Sequence, residues 1–142
     1  MSDLVLHPLT AQQLESFISH PAHALLLTGA AGIGKGSVAR YLAQTLIDDT
    51  ADITTHPYVR IIMPNDAAIS IEAVRSLEHF LSRKVPGNTP RLIVIEDAHL
   101  LTTEAQNALL KTLEEPPANT YILLTASYEQ GLLPTIRSRC CR

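Results

Sequence analysis

Short apolar runs alternate along this chain with longer stretches whose apolar residues recur at helical spacing. The runs are Ala24-Leu25-Leu26-Leu27-Thr28, Tyr58 to Met63, Arg91 to Ile95 and Tyr121 to Thr125. Each is five or six residues long and bounded by turn-forming residues, which predicts core strands. Between them, Lys35 to Leu46 places Val38, Tyr41, Leu42 and Thr45/Leu46 on one helical face. Ser70 stands where it would cap a helix carrying Val74, Leu77, Phe80 and Leu81 on one side. Thr102 or Thr103 opens a further helix that runs to about Glu115, where Pro116-Pro117 stop it. An earlier helix, from about Ala11 to His20, is framed by Thr10 and Pro21. Asp48 to His56 reads as a polar connection, and Val85 to Pro90 as a loop built on Pro-Gly-Asn. Leu132 to Arg142 reads as a short helical or irregular tail. Strands alternating with helices predict an α/β fold with a mainly parallel sheet flanked by helices.

Composition narrows the class. The 142 residues suffice for one domain with a true core, and neither a repeat nor a linker divides them. With 46% hydrophobic and 18% charged residues, disorder is excluded. A net charge of −3 excludes a strong overall pull toward nucleic acid. There is no Trp and aromatics are 4%, which argues against a base-stacking platform. Arg83, Lys84 and Arg91 surround the Pro-Gly loop and read as a solvated loop rather than a phosphate-binding patch. No run of about 18 apolar residues indicates a membrane span. Met1 to Leu9 lacks the cationic-then-apolar order of a signal peptide. Cys140 and Cys141 are adjacent, a spacing that strains a disulfide and supplies no metal site. They read as reduced thiols of a cytoplasmic protein.

The chemistry is concentrated after the first strand. Gly29-Ala30-Ala31-Gly32-Ile33-Gly34-Lys35 lies between a buried strand and a helix, the context of a phosphate-binding loop. Its glycines let the backbone curl around a polyphosphate. The turned-in N–H groups form a nest for anionic oxygens, and the following helix adds its positive end. Lys35 supplies a point charge toward the β- and γ-phosphates. The motif then breaks, because Gly36 stands where Ser or Thr would offer a hydroxyl to Mg²⁺. Ser37 comes one position later, about 100° further round the helix, and does not replace it.

Two more polar groups fall at predicted strand ends, where open parallel sheets bind ligands. Glu96-Asp97 follows Leu92-Ile93-Val94-Ile95, and Thr125 to Ser127 follows the fourth run. An acidic pair in that place resembles the second motif of P-loop ATPases, in which one carboxylate holds the metal and the next orients the attacking water. Two acids can also simply cap a strand; the glycine loop favours the nucleotide reading. The usual order is Asp then Glu, and here it is reversed. The reversal lengthens the metal-side arm and shortens the catalytic arm by one methylene. A misplacement of about 1 Å costs around a hundredfold in rate. Gly36 and the reversed pair together predict weak hydrolysis. Kinases and GTPases use the same loop, but the chain has no Asn-Lys-x-Asp guanine-reading motif and no long insertion to serve as an acceptor lid. His23 and His99 read as partly buried structural histidines rather than metal ligands.

The segment His23 to Lys35, the stretch Ala105-Gln106-Asn107-Ala108-Leu109-Leu110-Lys111-Thr112-Leu113-Glu114-Glu115-Pro116-Pro117 and the triplet Ser138-Arg139-Cys140 together resemble the AAA+ domain of bacterial DNA polymerase III clamp-loader subunits. The delta-prime type is the first match and the gamma/tau type a close second. The resemblance runs from about His7 to Arg142. It implies a three-layer P-loop sandwich that binds ATP and Mg²⁺ through Gly29, Gly32, Ile33, Gly34, Lys35, Gly36 and Ser37. Among the catalytic-type positions, it implies that Glu96 and Asp97 flank the nucleotide and that Ser127 takes a sensor position. Thr125 lies two residues away on the same strand face. Arg139 would reach into a neighbouring subunit's ATP site as a finger in trans, stabilising charge on the γ-phosphate. The partners implied are the other subunits of a hetero-pentamer, the sliding clamp and, through the assembled complex, primed DNA. Related loaders often carry a four-cysteine zinc module before the second strand; Leu46 to Tyr58 has no cysteine, so no zinc is expected. Residues 1–142 would form the nucleotide-binding core, with the family's lid and collar domains absent from the chain. Delta-prime subunits as a class often have degraded nucleotide motifs and donate the arginine, while gamma/tau subunits hydrolyse ATP. Gly36 and the reversed acids favour the first type; Lys35 and the retained glycines favour the second.

Overall fold

The computed structural model describes residues 23–29, 34–47, 53, 56–65, 68–87 and 89–140. The helix expected from Ala11 to His20 lies outside them. Four strands form one sheet: β1 (Ala24–Thr28), β2 (Val59–Ile62), β3 (Arg91–Ile95) and β4 (Thr120–Ala126). Among the described residues four helices accompany them: α1 (Lys35–Ile47), α2 (Ile71–Ser82), α3 (Thr103–Glu114) and the short α4 (Pro134–Ser138). Single 3₁₀ turns at Ala98–Leu100 and Glu129–Gly131 follow β3 and β4. The sheet is parallel throughout, in the order β1-β4-β3-β2. Leu26 of β1 stands opposite Leu124 of β4, and Leu124 opposite Ile95 of β3.

Both faces of the sheet are covered, which is why β3 reads as an unbroken apolar run rather than an alternation. On one face Leu25, Leu92, Val94 and Leu123 pack with Val38, Ala39, Leu42, Ala43 and Ile47 of α1. On the other, Leu26, Ile93, Ile95, Ile122 and Leu124 pack with the apolar sides of α2, α3 and α4. The result is the expected three-layer sandwich.

Local chemistry explains the boundaries. The side chain of Thr102 accepts a 3.1 Å hydrogen bond from the N–H of Ala105, so Thr102 and not Thr103 caps α3. In α2, Val74, Leu77, Phe80 and Leu81 are the buried residues, as their spacing predicts. Burying each such side chain contributes about 1.5–3 kcal/mol. Ser70 occupies the N-cap of α2 in extended backbone, yet its hydroxyl makes no capping bond.

Three expectations shift. The buried stripe of α1 contains Ala39 and Ala43, while Tyr41, Thr45 and Leu46 are only half-buried. The alanines are short enough to let the helix lie close against the sheet. Arg91 is not a loop cation: it is 6% exposed, and its Nη1 donates to the carbonyls of Leu81 at 2.8 Å and Arg83 at 2.9 Å. It satisfies backbone acceptors at the end of α2, as a cation does at a helix C-terminus. His23 is exposed rather than partly buried.

Candidate functional site

β1, β3 and β4 end side by side, and a cleft of about 400 Å³ opens beyond them. Gly34, Lys35, Gly36, Ser37, Arg40, Glu96, Asp97 and Thr125 line it. Six of the site residues singled out from sequence therefore meet there: Gly34, Lys35, Gly36, Ser37, Glu96 and Asp97. Gly32 and Ile33 lie outside the described residues. Gly29 follows β1 directly, and its N–H donates to the carbonyl of Ala126 in β4 at 3.3 Å.

α1 begins directly from the loop, with the N–H of Val38 bonded to the carbonyl of Gly34 at 3.0 Å. Gly34 has φ +91°, a left-handed conformation that only glycine takes without strain. From the first turn, Lys35 Nζ donates to the carbonyl of Gly29 at 2.7 Å. The lysine thus ties the two ends of the loop together.

The acidic pair is held differently. β3 carries both residues to the cleft, and the N–H of Glu96 extends the ladder to Ile62 at 2.9 Å. Asp97 then turns out of the sheet with φ 57° and ψ 49°. Asp is among the few side chains that visit this region readily. The N–H of Asp97 donates to the Thr125 hydroxyl at 2.9 Å, which fixes the turn to β4. Thr125 lines the cleft; Ser127 does not belong to the lining. Instead, the N–H of Ser127 donates to Nδ1 of His99 at 3.1 Å, and the His99 ring packs on Tyr128 at 4.8 Å. His99 is half-buried, in keeping with a structural part.

Arg40 is the cleft residue that sequence reasoning missed. Its Nη2 donates to Glu96 Oε2 at 2.7 Å and also meets Met63 Sδ at 3.5 Å. The side chain of Glu96 is 18% exposed and that of Arg40 39%. The two residues are far apart in sequence, so no local pattern joins them. The only signal was spacing, since Arg40 lies one turn beyond Gly36 on α1.

The usual pair of metal ligands, at positions 36 and 96, is altered in this cleft, and Asp97 and Ser37 are the other side chains with oxygens on that part of its lining. Position 36 offers no side-chain oxygen. A Cβ built there would overlap Glu96 Oε1, so the Glu96 carboxylate fills the space a serine or threonine would use. The other oxygen, Oε2, is committed to Arg40. Among the described residues, no three His, Cys, Asp or Glu side chains gather as a metal cluster.

Arg139 stands away from the cleft, at the end of α4. Its side chain is 53% exposed, with Glu114 of α3 at 3.9 Å. A buried glutamine braces this corner. Gln106 Nε2 donates to the carbonyls of Leu101 at 3.2 Å and Gly131 at 3.0 Å, and its Oε1 accepts from the N–H of Leu133 at 2.7 Å. It joins α3 to the turn that launches α4. Sequence reading took only the leucines of this helix as its core face. The signal was present: Gln106 lies three residues before Leu109 and seven before Leu113, on the same face, where a polar residue needs a partner. Cys140 packs half-buried against the core, and Cys141 lies outside the described residues.

No helix among the described residues is long and apolar enough to cross a membrane. The family described as "DNA polymerase III, delta subunit" matches residues 7–142. DNA polymerase III subunit delta' of Pseudomonas aeruginosa is 35% identical over 84% of this chain and 42% of its own length. DNA polymerase III subunit tau of Salmonella typhimurium is 33% identical over 94% of this chain and 23% of its own. The chain thus spans less than half the length of the curated relatives it matches. Among solved structures, a gamma subunit-related protein of Thermotoga maritima superposes with a TM-score of 0.79 at 28% identity, over 92% of this chain and 44% of the other. The RuvB branch migration motor of the same organism, at 16% identity and a TM-score of 0.62, covers 91% of this chain and 40% of its own and shares the fold.

Proposed function

The chain belongs to the DNA polymerase III delta-subunit family, among the clamp-loader subunits, and from that premise we propose that it serves its complex chiefly as an arginine-donating interaction module. In this reading its own ATP hydrolysis is weak or absent. Arg139 enters the nucleotide site of a neighbouring subunit and stabilises the charge that grows on the γ-phosphate. The partners are the other subunits of a hetero-pentamer and the sliding clamp, with primed DNA reached through the assembled complex in the cytoplasm.

The observation that carries the reading is an imbalance. The chain's own cleft has no hydroxyl at position 36 and a Glu96 tied to Arg40, while Arg139 stands exposed on a braced corner. The test is a loader reconstituted with Arg139→Ala. ATPase of the complex should fall while assembly is kept. An unaffected ATPase rejects the proposal.

A second reading, an ATP-hydrolysing motor of gamma/tau type, draws support from the tau relative and from the retained Lys35 at the start of α1. It requires turnover by the chain that Lys35→Ala abolishes. Residues Gly29, Gly32, Ile33, Gly34, Lys35 and Ser37 would in either case surround the phosphates, with Asp97 and Thr125 beyond them.

A further inference from the structure

This inference rests on the reading of the loop and cleft as a phosphate site. In P-loop proteins a metal is held between a hydroxyl at the start of the helix and a carboxylate after a strand. Both halves are altered here, and they are altered in register with each other. Position 36 has lost its side chain. Position 96 has gained a methylene, and Oε1 occupies the space above Gly36. Oε2 accepts from Arg40, whose Cα lies one helical turn beyond Gly36. Gly36, Glu96 and Arg40 form one packed unit.

We propose that Arg40 is the resident cation of this cleft, and that the cleft takes a nucleoside polyphosphate as the metal-free anion rather than as its Mg²⁺ chelate. Pairing with Arg40 offsets the repulsion that the Glu96 carboxylate would exert on an incoming polyphosphate, and Asp97 is the other carboxylate lining the cleft, set against Lys35 and Arg40. A divalent ion approaching Glu96 must displace a charge-assisted hydrogen bond and then stand beside a guanidinium of like sign. The guanidinium carries five N–H donors in a planar fork suited to phosphate oxygens, and Arg40 lines the cleft beside Lys35. The N-terminus of α1 adds its dipole to the same side.

The experiment is a calorimetric titration of ATP, and separately of inorganic tripolyphosphate, into the full chain in EDTA and in excess Mg²⁺. Binding in EDTA should equal or exceed binding in Mg²⁺. Arg40→Gln should weaken binding in EDTA by about tenfold and make Mg²⁺ an enhancer, because Glu96 is then unpaired. Circular dichroism verifies that this variant is folded. Where it is not, the double variant Gly36→Ser with Glu96→Asp restores the usual donors and should likewise make Mg²⁺ an enhancer. Wild-type binding that needs Mg²⁺ overturns the inference and leaves the phosphate loop standing. Metal-free binding that Lys35→Ala abolishes and Arg40→Gln leaves intact overturns the role of Arg40. Absence of binding in both conditions overturns the phosphate-site reading itself.

Discussion

The cleft at the strand ends and the corner formed by α3 and α4 belong to one domain and are organised in opposite senses. In the cleft the polar groups face one another: Arg40 meets Glu96, Lys35 meets the Gly29 carbonyl, and Thr125 meets the Asp97 N–H. At the corner a neutral, buried Gln106 makes the internal bonds, and the charged group, Arg139, is left at the surface. A charge that is to act on another molecule is best held at the surface, where a loose solvated pair such as that with Glu114 is easily exchanged, on a corner braced by neutral groups. A cleft whose charges already answer one another stays quiet until a ligand displaces them.

The comparison breaks most sharply at Arg139. In a reconstituted loader, Arg139→Ala should lower the neighbour's ATPase by about a thousandfold, the lower range for an arginine finger. Steady-state hydrolysis with intact assembly measures it. A much smaller drop would make the corner structural. Next comes the brace. Gln106→Leu strands the N–H of Leu133 and the carbonyl of Gly131, and should destabilise the chain by about 2–4 kcal/mol in chemical denaturation. In the folded variant, polyphosphate binding at the cleft should be unchanged. A change there would mean the two regions are coupled.

Thr125→Val sharpens the other side. It keeps the shape of a buried strand residue and removes the acceptor for the Asp97 N–H. The expected loss is about 1–3 kcal/mol of stability. Hydrogen exchange should show faster opening at Asp97 first. Thr102→Ala, which removes the cap of α3, should cost about 1 kcal/mol, read as a lower melting temperature with no effect on the cleft.

Most of the fold was legible because its signals are local. The spacing of Val74, Leu77, Phe80 and Leu81 reports a helix face, and the unbroken run Leu92-Ile93-Val94-Ile95 reports a strand covered on both sides. Convergence of the loop with Glu96-Asp97 was also legible, because parallel strands deliver their ends to one side. What escaped depends on partners distant in sequence. The bond between Arg40 and Glu96 has no periodicity, and nothing local distinguishes Arg40 from any exposed helix arginine. Arg91 reads with Arg83 and Lys84 as part of a solvated basic loop, yet its guanidinium folds inward onto α2. Tyr41 matched the helical spacing better than Ala39 and Ala43, because pattern counting weighs size and overlooks how closely a helix must approach its sheet. Ser127 and Thr125 share a strand face in sequence terms, and only the end of β4 decides that Thr125 is the one lining the cleft.

The strand order has a consequence for how the chain is made. Among the described strands, β1, which leads into the phosphate loop, is hydrogen-bonded to β4 alone, with Ala24 opposite Ile122 and Thr28 opposite Ala126. Of the described strands, β1 is made first and waits for β4, made last, before it has a neighbour among them. At about 5–20 residues per second, the wait on the ribosome is roughly 5–20 s. Through that interval Leu25, Leu26 and Leu27 form an apolar strand without a partner, the kind of segment chaperones hold. Meanwhile β2 and β3, already adjacent in sequence and in the sheet, are free to pair. The strand that leads into the loop most clearly marking this chain thus gains its partner in the described sheet only once β4 has been made.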